Sequence, residues 1–245
     1  RHVCFSLVVL LTASSLNSQL INKFQLCSRS DPNLNDCLKS AIPNALQLLS
    51  AGIPEFNIPQ LDPMKISEWV VDSLPPLDFY QKYTNIEMHG HTNGTIKEID
   101  AKLTDTDFYL SMKLLCPEVD FRADYEYSNA ILNGVDFSST GKTSSIGSDF
   151  YFQTIFTGVV NQKDGEDYLS ITNVDTVSLD VSKVQFKFDS AVPEVGEKLA
   201  KMLNDNWQML ITKEKKKYTK MYSEAYKNEA NALFSLIPYN QIFPK

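Results

Sequence analysis

Residues 197 to 237 read EKLAKMLNDNWQMLITKEKKKYTKMYSEAYKNEANALFSLI, 41 consecutive positions without a glycine or a proline. Leu199, Met202, Leu203, Asn206 and Leu210 make one stripe at helical spacing, and Tyr218, Met221, Tyr222, Ala225, Leu233 and Leu236 make another. A continuous helix of that length would reach about 60 Å at 1.5 Å per residue, too long for a globule of ordinary shape. An elongated molecule is therefore expected. The run KEKKKYTK, Lys213 to Lys220, separates the two stripes and is the expected place for a kink or a solvated turn of helix. Such a run usually marks a solvated helical face.

Upstream of this helix the period is two. From about Ile86 to Asp189 apolar and polar residues alternate, with Phe108, Leu110, Met112, Leu114 and Cys116 on one face. After Pro117 the phase moves to Val119, Phe121, Ala123 and Tyr125, as a bulge or a sharp bend would require. Phe150, Phe152, Thr154 and Phe156 alternate likewise, Asp164-Gly165 reads as a hairpin turn, and Val184, Phe186 and Phe188 interleave with polar residues. The middle hundred residues thus predict an antiparallel sheet that is long and strongly curved.

Further towards the N-terminus, Asp31 and Pro32 are the expected cap and first position of a helix. Leu34, Cys37, Leu38, Ala41, Ile42, Ala45, Leu48 and Leu49 follow at helical spacing, Pro43 is the expected kink and Gly52 the C-cap. Residues 53 to 63, IPEFNIPQLDP, carry three prolines and begin an extended connector that runs past Trp69, Val70 and Val71 to Pro75-Pro76. Its large apolar residues argue against a domain linker. No internal repeat is evident, so residues 19–245 are expected to form a single domain.

The chain of 245 residues carries 23 basic against 30 acidic side chains, a formal charge of −7, which argues against a nucleic-acid partner. Its one long apolar stretch, Val3 to Ala13, is about half of what crosses a bilayer, so stable membrane insertion is not expected. Arg1 and His2 precede that stretch and Ser14, Ser15 and Ser18 follow it, the order of a secretory signal peptide. Removal of residues 1–18 is expected, leaving a secreted acidic chain. Cys4 leaves with that segment, and Cys27, Cys37 and Cys116 remain, most simply one pair and one buried free thiol. Cys27 and Cys37 flank SRSDPNLND, where a bridge would staple the incoming chain to the helix. Asn93-Gly94-Thr95 is a sequon and Asn93 a candidate glycosylated turn.

Motifs that carry chemistry are scarce. The nucleophile elbow, the zinc-protease pair, the phosphate loop and the dinucleotide glycine fingerprint are all missing from the sequence. His89 and His91, within MHGHTNG, could share one side of a strand but have no further motif-spaced ligands, and exposed strand histidines are the expected outcome. No cofactor, no metal and no catalytic residue is assigned. In contrast, 14 Phe, 11 Tyr, 2 Trp and 6 Met supply large apolar surface. A long helix wrapped by a bent sheet does not close-pack at every level and tends to leave an apolar tunnel.

Two end motifs carry a resemblance. Cys27 and Cys37 around SRSDPNLND, followed by SAGIPEFNIPQLDPMKI, resemble the entry of the insect takeout and juvenile-hormone-binding family, and IPYNQIFPK, residues 237 to 245, is similar to its closing signature. LNDNWQML, residues 203 to 210, resembles its helix segment, although Asn240 stands where an acidic residue is usual and the lysine run lacks a proline often found there. The resemblance implies an α+β, tubular lipid-binding-type fold: a long C-terminal helix wrapped by a curved antiparallel sheet, an N-terminal helix and a Cys27–Cys37 disulfide. It further implies a secreted, monomeric, non-catalytic carrier of a small elongated hydrophobic ligand, in haemolymph or sensory fluid. The alternative is a signalling protein that meets a receptor or transport partner through its surface, linked to feeding, chemosensation or circadian output. The expected tunnel wall is Val119, Phe121, Phe150, Phe152, Phe156, Leu203, Trp207 and Leu210. Tyr125, on the Val119 phase, and Tyr127, expected beyond the strand end, are the candidate polar handles.

Overall fold

The computed structural model describes residues 19–71 and 79–245; the expected leader, residues 1–18, and the Pro75-Pro76 break lie outside them. In chain order come helix α1 (Leu34–Ser50), strands β1 (Met64–Val71), β2 (Tyr80–His89), β3 (Thr95–Leu103), β4 (Asp107–Ser128), β5 (Ile131–Leu132), β6 (Val135–Asp136), β7 (Ser139–Lys163), β8 (Glu166–Asp180) and β9 (Lys183–Ser190), then helices α2 (Pro193–Asp205), α3 (Trp207–Phe234) and α4 (Tyr239–Ile242). The main sheet is antiparallel, runs β1-β2-β4-β7-β8, and adds β3 against β4 and β9 against β7.

Its spine is the β4–β7 ribbon, of 22 and 25 residues. An extended strand of that length measures about 70 to 80 Å, several times an ordinary strand, so the ribbon can bury one face only by bending around the helices. Each long strand is shared along its outer edge. The first half of β4 pairs with β3 and the second with β2, while the first half of β7 pairs with β9 and the second with β8.

The division falls at Pro117 and Asp149. Before it the buried apolar residues of β4 are Phe108, Met112, Leu114 and Cys116; after it they are Val119, Ala123, Tyr125 and Tyr127. Of the two expected causes, a bulge or a sharp bend, the pairing excludes the bulge: Cys116 faces Phe150, Glu118 faces Ser148, and the register stays unbroken. Asp149, at φ of +49°, lies opposite Pro117, which has no amide hydrogen to give the ladder. Both strands therefore change parity at facing positions. Pairing is kept while the set of side chains on the concave face switches.

The sheet also begins earlier than the alternation indicated. Met64–Val71, expected as connector, is an edge strand whose Trp69 pairs with Tyr83. The proline-rich stretch before it holds a short 3-10 turn at Pro54–Phe56 and a bridge from Ile53 to Ile58. Asp164 and Gly165, both at positive φ, make the tight turn between β7 and β8.

The helices depart from expectation in two places. Asp31 does not cap α1: its carboxylate accepts the Asn33 amide at 2.8 Å in a preceding turn, and the helix starts at Leu34. Pro43 sits inside an uninterrupted helix, and Gly52, at φ of +73°, closes its end where a Cβ would strike the Gln60 amide nitrogen at 2.7 Å. The long C-terminal helix breaks at Asn206, not in the lysine run. Asn204 grips the Phe186 backbone of β9 at both N–H (2.7 Å) and C=O (2.9 Å), and the Asn206 side chain donates back to the Met202 carbonyl at 2.8 Å. Such local amide bonds compete with the helical ladder. The lysine run stays helical, and within it Lys217 is paired with buried Glu214 at 2.7 Å. Two more clamps hold α3 to β8: Asn231 bonds both backbone groups of Ile171, and Ser223 accepts the Thr176 amide. These side chains occupy backbone groups that an edge strand would otherwise leave open.

Candidate functional site

Between the sheet and the helices lie two cavities, one in each half of the ribbon. The larger, about 260 Å³, is enclosed by the inner face of α1 (Leu38, Ala41, Ile42, Ala45), the first parity set of β4 and β7 (Phe108, Leu110, Met112, Leu114, Phe152, Thr154, Phe156) and the end of α3 from Tyr226 to Phe234. Ile242 and Phe243 close it from the C-terminal tail. Its wall is almost wholly apolar, which suits a hydrocarbon chain.

The few polar groups in this wall are uncharged near neutral pH. His91 is buried, not exposed as expected, and its Nε2 donates to the Leu61 carbonyl at 2.6 Å. Burial lowers the imidazole pKa and keeps the ring neutral. Glu229 has its carboxyl pushed up to about 8, first by burial and then by the nearby Asp62 charge. Thr154 is 2% exposed and its hydroxyl has no hydrogen-bond partner. Cys116, behind this wall, is buried and unbonded to another cysteine; burial raises its thiol to about 12, so it is no nucleophile at neutral pH.

A polar hub backs the Cys27 and Phe243 side of this wall. Cys27 and Cys37 form a disulfide, and Cys27 itself lines the cavity. Arg29, within the bridged loop, bonds Asn240 Oδ1 (2.9 Å), the Phe243 carbonyl (2.9 Å) and Asp105 (2.7 Å), and stacks on Tyr239 with its guanidinium 4.7 Å from the ring centre. Asn240, where the resemblance calls for an acid, thus serves as a neutral acceptor for this cation.

The smaller cavity, about 80 Å³, uses the second parity set together with α2 and α3 from Leu210 to Tyr222. Between the two stand four rings: Phe152 and Tyr226 face the larger cavity, Phe150 and Tyr222 the smaller. Phe150 and Phe152 meet at 5.8 Å, Phe150 and Tyr222 at 5.6 Å, and Phe152 stacks on Tyr226 at 6.0 Å. One aromatic layer separates the spaces.

The expected wall residues are divided between them. Phe152 and Phe156 line the larger cavity; Val119, Phe121, Tyr127, Phe150, Leu203 and Leu210 line the smaller. Trp207 and Tyr125 line neither. Trp207 opens α3 just past the break, and Tyr125 belongs to an apolar cluster with Phe79, Phe137 and Leu199, its hydroxyl 3.1 Å from that of Ser139. Tyr127 lies within β4, not beyond its end, and faces Gln81 across the ladder. Unassigned from the sequence were α1, Leu110, Tyr226, Leu233 and Phe243, although the helical stripes already carried the α1 residues and Leu233, and the strand alternation carried Leu110. Asn93 is exposed in a 3-10 turn. His89 sits at the end of β2 beside Glu87, 3.2 Å away. Among the described residues no group of three or more metal-ligating side chains forms, and no helix is long and apolar enough to cross a membrane.

With this geometry in place, the chain can be set beside known proteins. The model of the haemolymph juvenile hormone binding protein family matches residues 4–244. The circadian clock-controlled protein daywake of Drosophila yakuba is 25% identical over 219 residues, spanning 84% of this chain and 83% of that protein. Its Drosophila melanogaster counterpart is 23% identical over the same length, spanning 85% and 84%. Takeout 1 of Epiphyas postvittana has the same fold: its crystal structure superposes with a TM-score of 0.73 over 90% of this chain and 100% of that one, at 14% identity.

Proposed function

The chain belongs to the haemolymph juvenile hormone binding protein family, and from that premise we propose that it is a secreted, monomeric, non-catalytic carrier whose larger cavity holds one elongated hydrophobic molecule, a terpenoid or fatty-acyl lipid. The observation that carries this reading is the 260 Å³ space walled by α1, the first half of the ribbon and the end of α3. Nothing charged at neutral pH opposes a chain there, since His91 and Glu229 are held neutral by their burial. A ligand burying roughly 350 Å² of apolar surface gains about 9 kcal/mol, and association removes at least about 4, leaving about 5 kcal/mol or less, a dissociation constant of about 0.2 mM that tightens about tenfold for each further ~55 Å² buried. The disulfide fits an oxidising compartment. The leader at residues 1–18, a single domain over 19–245 and a glycan on exposed Asn93 complete the proposal.

The test is mass spectrometry of organic extracts from protein secreted by insect cells, with and without an added panel of terpenoid hormones, fatty acids and their esters. A stoichiometric lipid is expected, and its length reports the occupied space. Protein that comes out empty and ignores the whole panel would overturn the carrier reading in favour of a surface-acting partner protein.

A further inference from the structure

We propose that the smaller cavity is a second binding site, built to receive an uncharged oxygen acceptor, a ketone, ester or amide carbonyl, on the side-chain amide of Gln81. Gln81 is 4% exposed and lines this cavity, and its Nε2 has no hydrogen-bond partner. A buried donor left unmade is costly, and each one in a native protein calls for an account.

The amide is aimed by its neighbours. Tyr83 Oη donates to Gln81 Oε1 at 3.0 Å and lies 2.7 Å from Tyr127 Oη. A phenol has one proton, so Tyr83 spends it on Gln81 and Tyr127 must donate to Tyr83. The chain Tyr127 to Tyr83 to Gln81 is directional and ends on an NH2 group with its donors free. Tyr83 is itself fixed, stacked on Trp69 at 5.5 Å and met edge-on by Phe121 at 5.8 Å. Register supports the arrangement: Gln81 and Tyr83 share a face of β2, and Tyr127 is the direct cross-strand partner of Gln81.

The charge of the ligand group follows from the surroundings. Among the described residues no lysine, arginine or histidine lines the cavity. The phenols of Tyr83 and Tyr218 are raised first by burial, then by a neighbouring tyrosine, and after it by the charge of Glu214, which is 5% exposed and paired with Lys217. A carboxylate head would find no cation among the described residues of the cavity wall, Lys217 being already paired with Glu214, whereas a carbonyl oxygen needs only the donor that Gln81 offers.

Such a group could be the head of the lipid whose chain lies in the larger cavity, which would require the four-ring layer to part, or it could belong to a separate small molecule; only the first rests on the carrier reading. The experiment measures binding of the full chain to a long-chain hydrocarbon, to the methyl ester and the free acid of equal chain length, and to a short-chain methyl ester. The same ligands are then offered to Gln81→Leu and, should that variant fold poorly by circular dichroism, to Gln81→Met. The wild-type protein is expected to hold an ester about tenfold more tightly than the matched hydrocarbon, the worth of one good hydrogen bond, and the variants to lose that preference while keeping hydrocarbon affinity. Preference for the long ester alone assigns the head of a spanning lipid; Gln81-dependent binding of the short ester assigns a separate molecule. Equal affinity for ester and hydrocarbon, a preference that survives in both variants, or tighter binding of the free acid overturns the proposal and leaves the carrier reading standing. Failure of every long ligand overturns the carrier reading, and the short ester then decides the Gln81 site alone.

Discussion

The two halves of the β4–β7 ribbon share strands and register, yet enclose different chemistry. On the first side of Pro117 and Asp149 the concave face carries Phe108, Leu110, Leu114 and Phe156 around a roomy apolar cavity. On the second it carries Tyr127, Thr143 and Ser145 around a small one in which phenols and an amide are hydrogen-bonded in series. A strand that kept one parity along its length would have to serve both spaces with one alternating set. Switching parity in both strands at once gives each space its own set and its own outer strand partners. The lesson is that a long ribbon can be divided functionally without being interrupted structurally.

The largest effect should come from a matched pair of substitutions. Phe156 and Phe121 are both half-buried wall aromatics, one in each cavity. Phe156→Glu should weaken binding of a plain hydrocarbon at least about a hundredfold, because a buried charge in an apolar wall costs several kcal/mol, while Phe121→Glu should change it less than about tenfold. Fluorescent-probe displacement on variants checked for native circular dichroism measures this, and the reverse ranking would move the chain into the smaller cavity. Next comes Arg29→Ala. Arg29 is 5% exposed in its side chain and satisfies a carbonyl, an amide oxygen and an aromatic face at once, so its loss should lower stability by about 2–4 kcal/mol in urea melts and loosen only the Cys27 and Phe243 side of the larger cavity. An unchanged midpoint would show the hub to be ornamental.

A pH titration sharpens the contrast further. Glu229 has a folded pKa of about 8, above its ordinary value of 4.5, so the folded state holds the proton more tightly than the unfolded one. Stability from this group is present below pH 4.5 and is lost progressively as pH rises towards 8. Facing it are the Asp62 charge, the neutral His91 and the raised phenol of Tyr226, none of which offers a cation above pH 7. Hydrocarbon affinity should therefore fall several-fold between about pH 6.5 and 9. Glu229→Gln should flatten the curve; a wild-type curve that is already flat would contradict the assignment. Smallest is Thr154→Val, which replaces an unpartnered hydroxyl with a methyl of similar shape and should raise the stability of the empty protein by about 1 kcal/mol, read as a shift in melting temperature.

Much of this architecture was legible because period is a robust signal. Phe108 to Cys116 and Phe150 to Phe156 announced paired strands, and the parity change after Pro117 was visible in one strand, though its counterpart at Asp149 was not, since Gly147, Ser145 and Thr143 look polar when read alone. Asn206 was counted as part of an apolar stripe; its breaking role depends on Asn204 finding the Phe186 backbone, a contact from another part of the chain. The lysine run keeps the second of its two expected readings, a solvated turn of helix, and within it Glu214 supplies Lys217 with a buried partner. The candidate site was less legible. Wall residues were sought on the sheet, where alternation is conspicuous, and the two cavities instead share them out. His91 looked like a surface residue beside a sequon, and only the fold brings the Leu61 carbonyl to it. Gln81 has no sequence signal at all: its significance is the partner it lacks.

The Arg29 hub has a consequence for the order in which the molecule assembles. It joins residues 211 positions apart at Asn240 and 76 apart at Asp105, which makes it among the most non-local contacts in the chain. Closing such loops is entropically slow, and contacts of this kind form late. The sheet and the α3 clamps can therefore be complete while the tail from Tyr239 to Phe243 is still undocked and the Phe243 side of the larger cavity stands open. If the proposed carrier function holds, protein refolded beside a lipid should load faster than protein offered the same lipid after folding is finished.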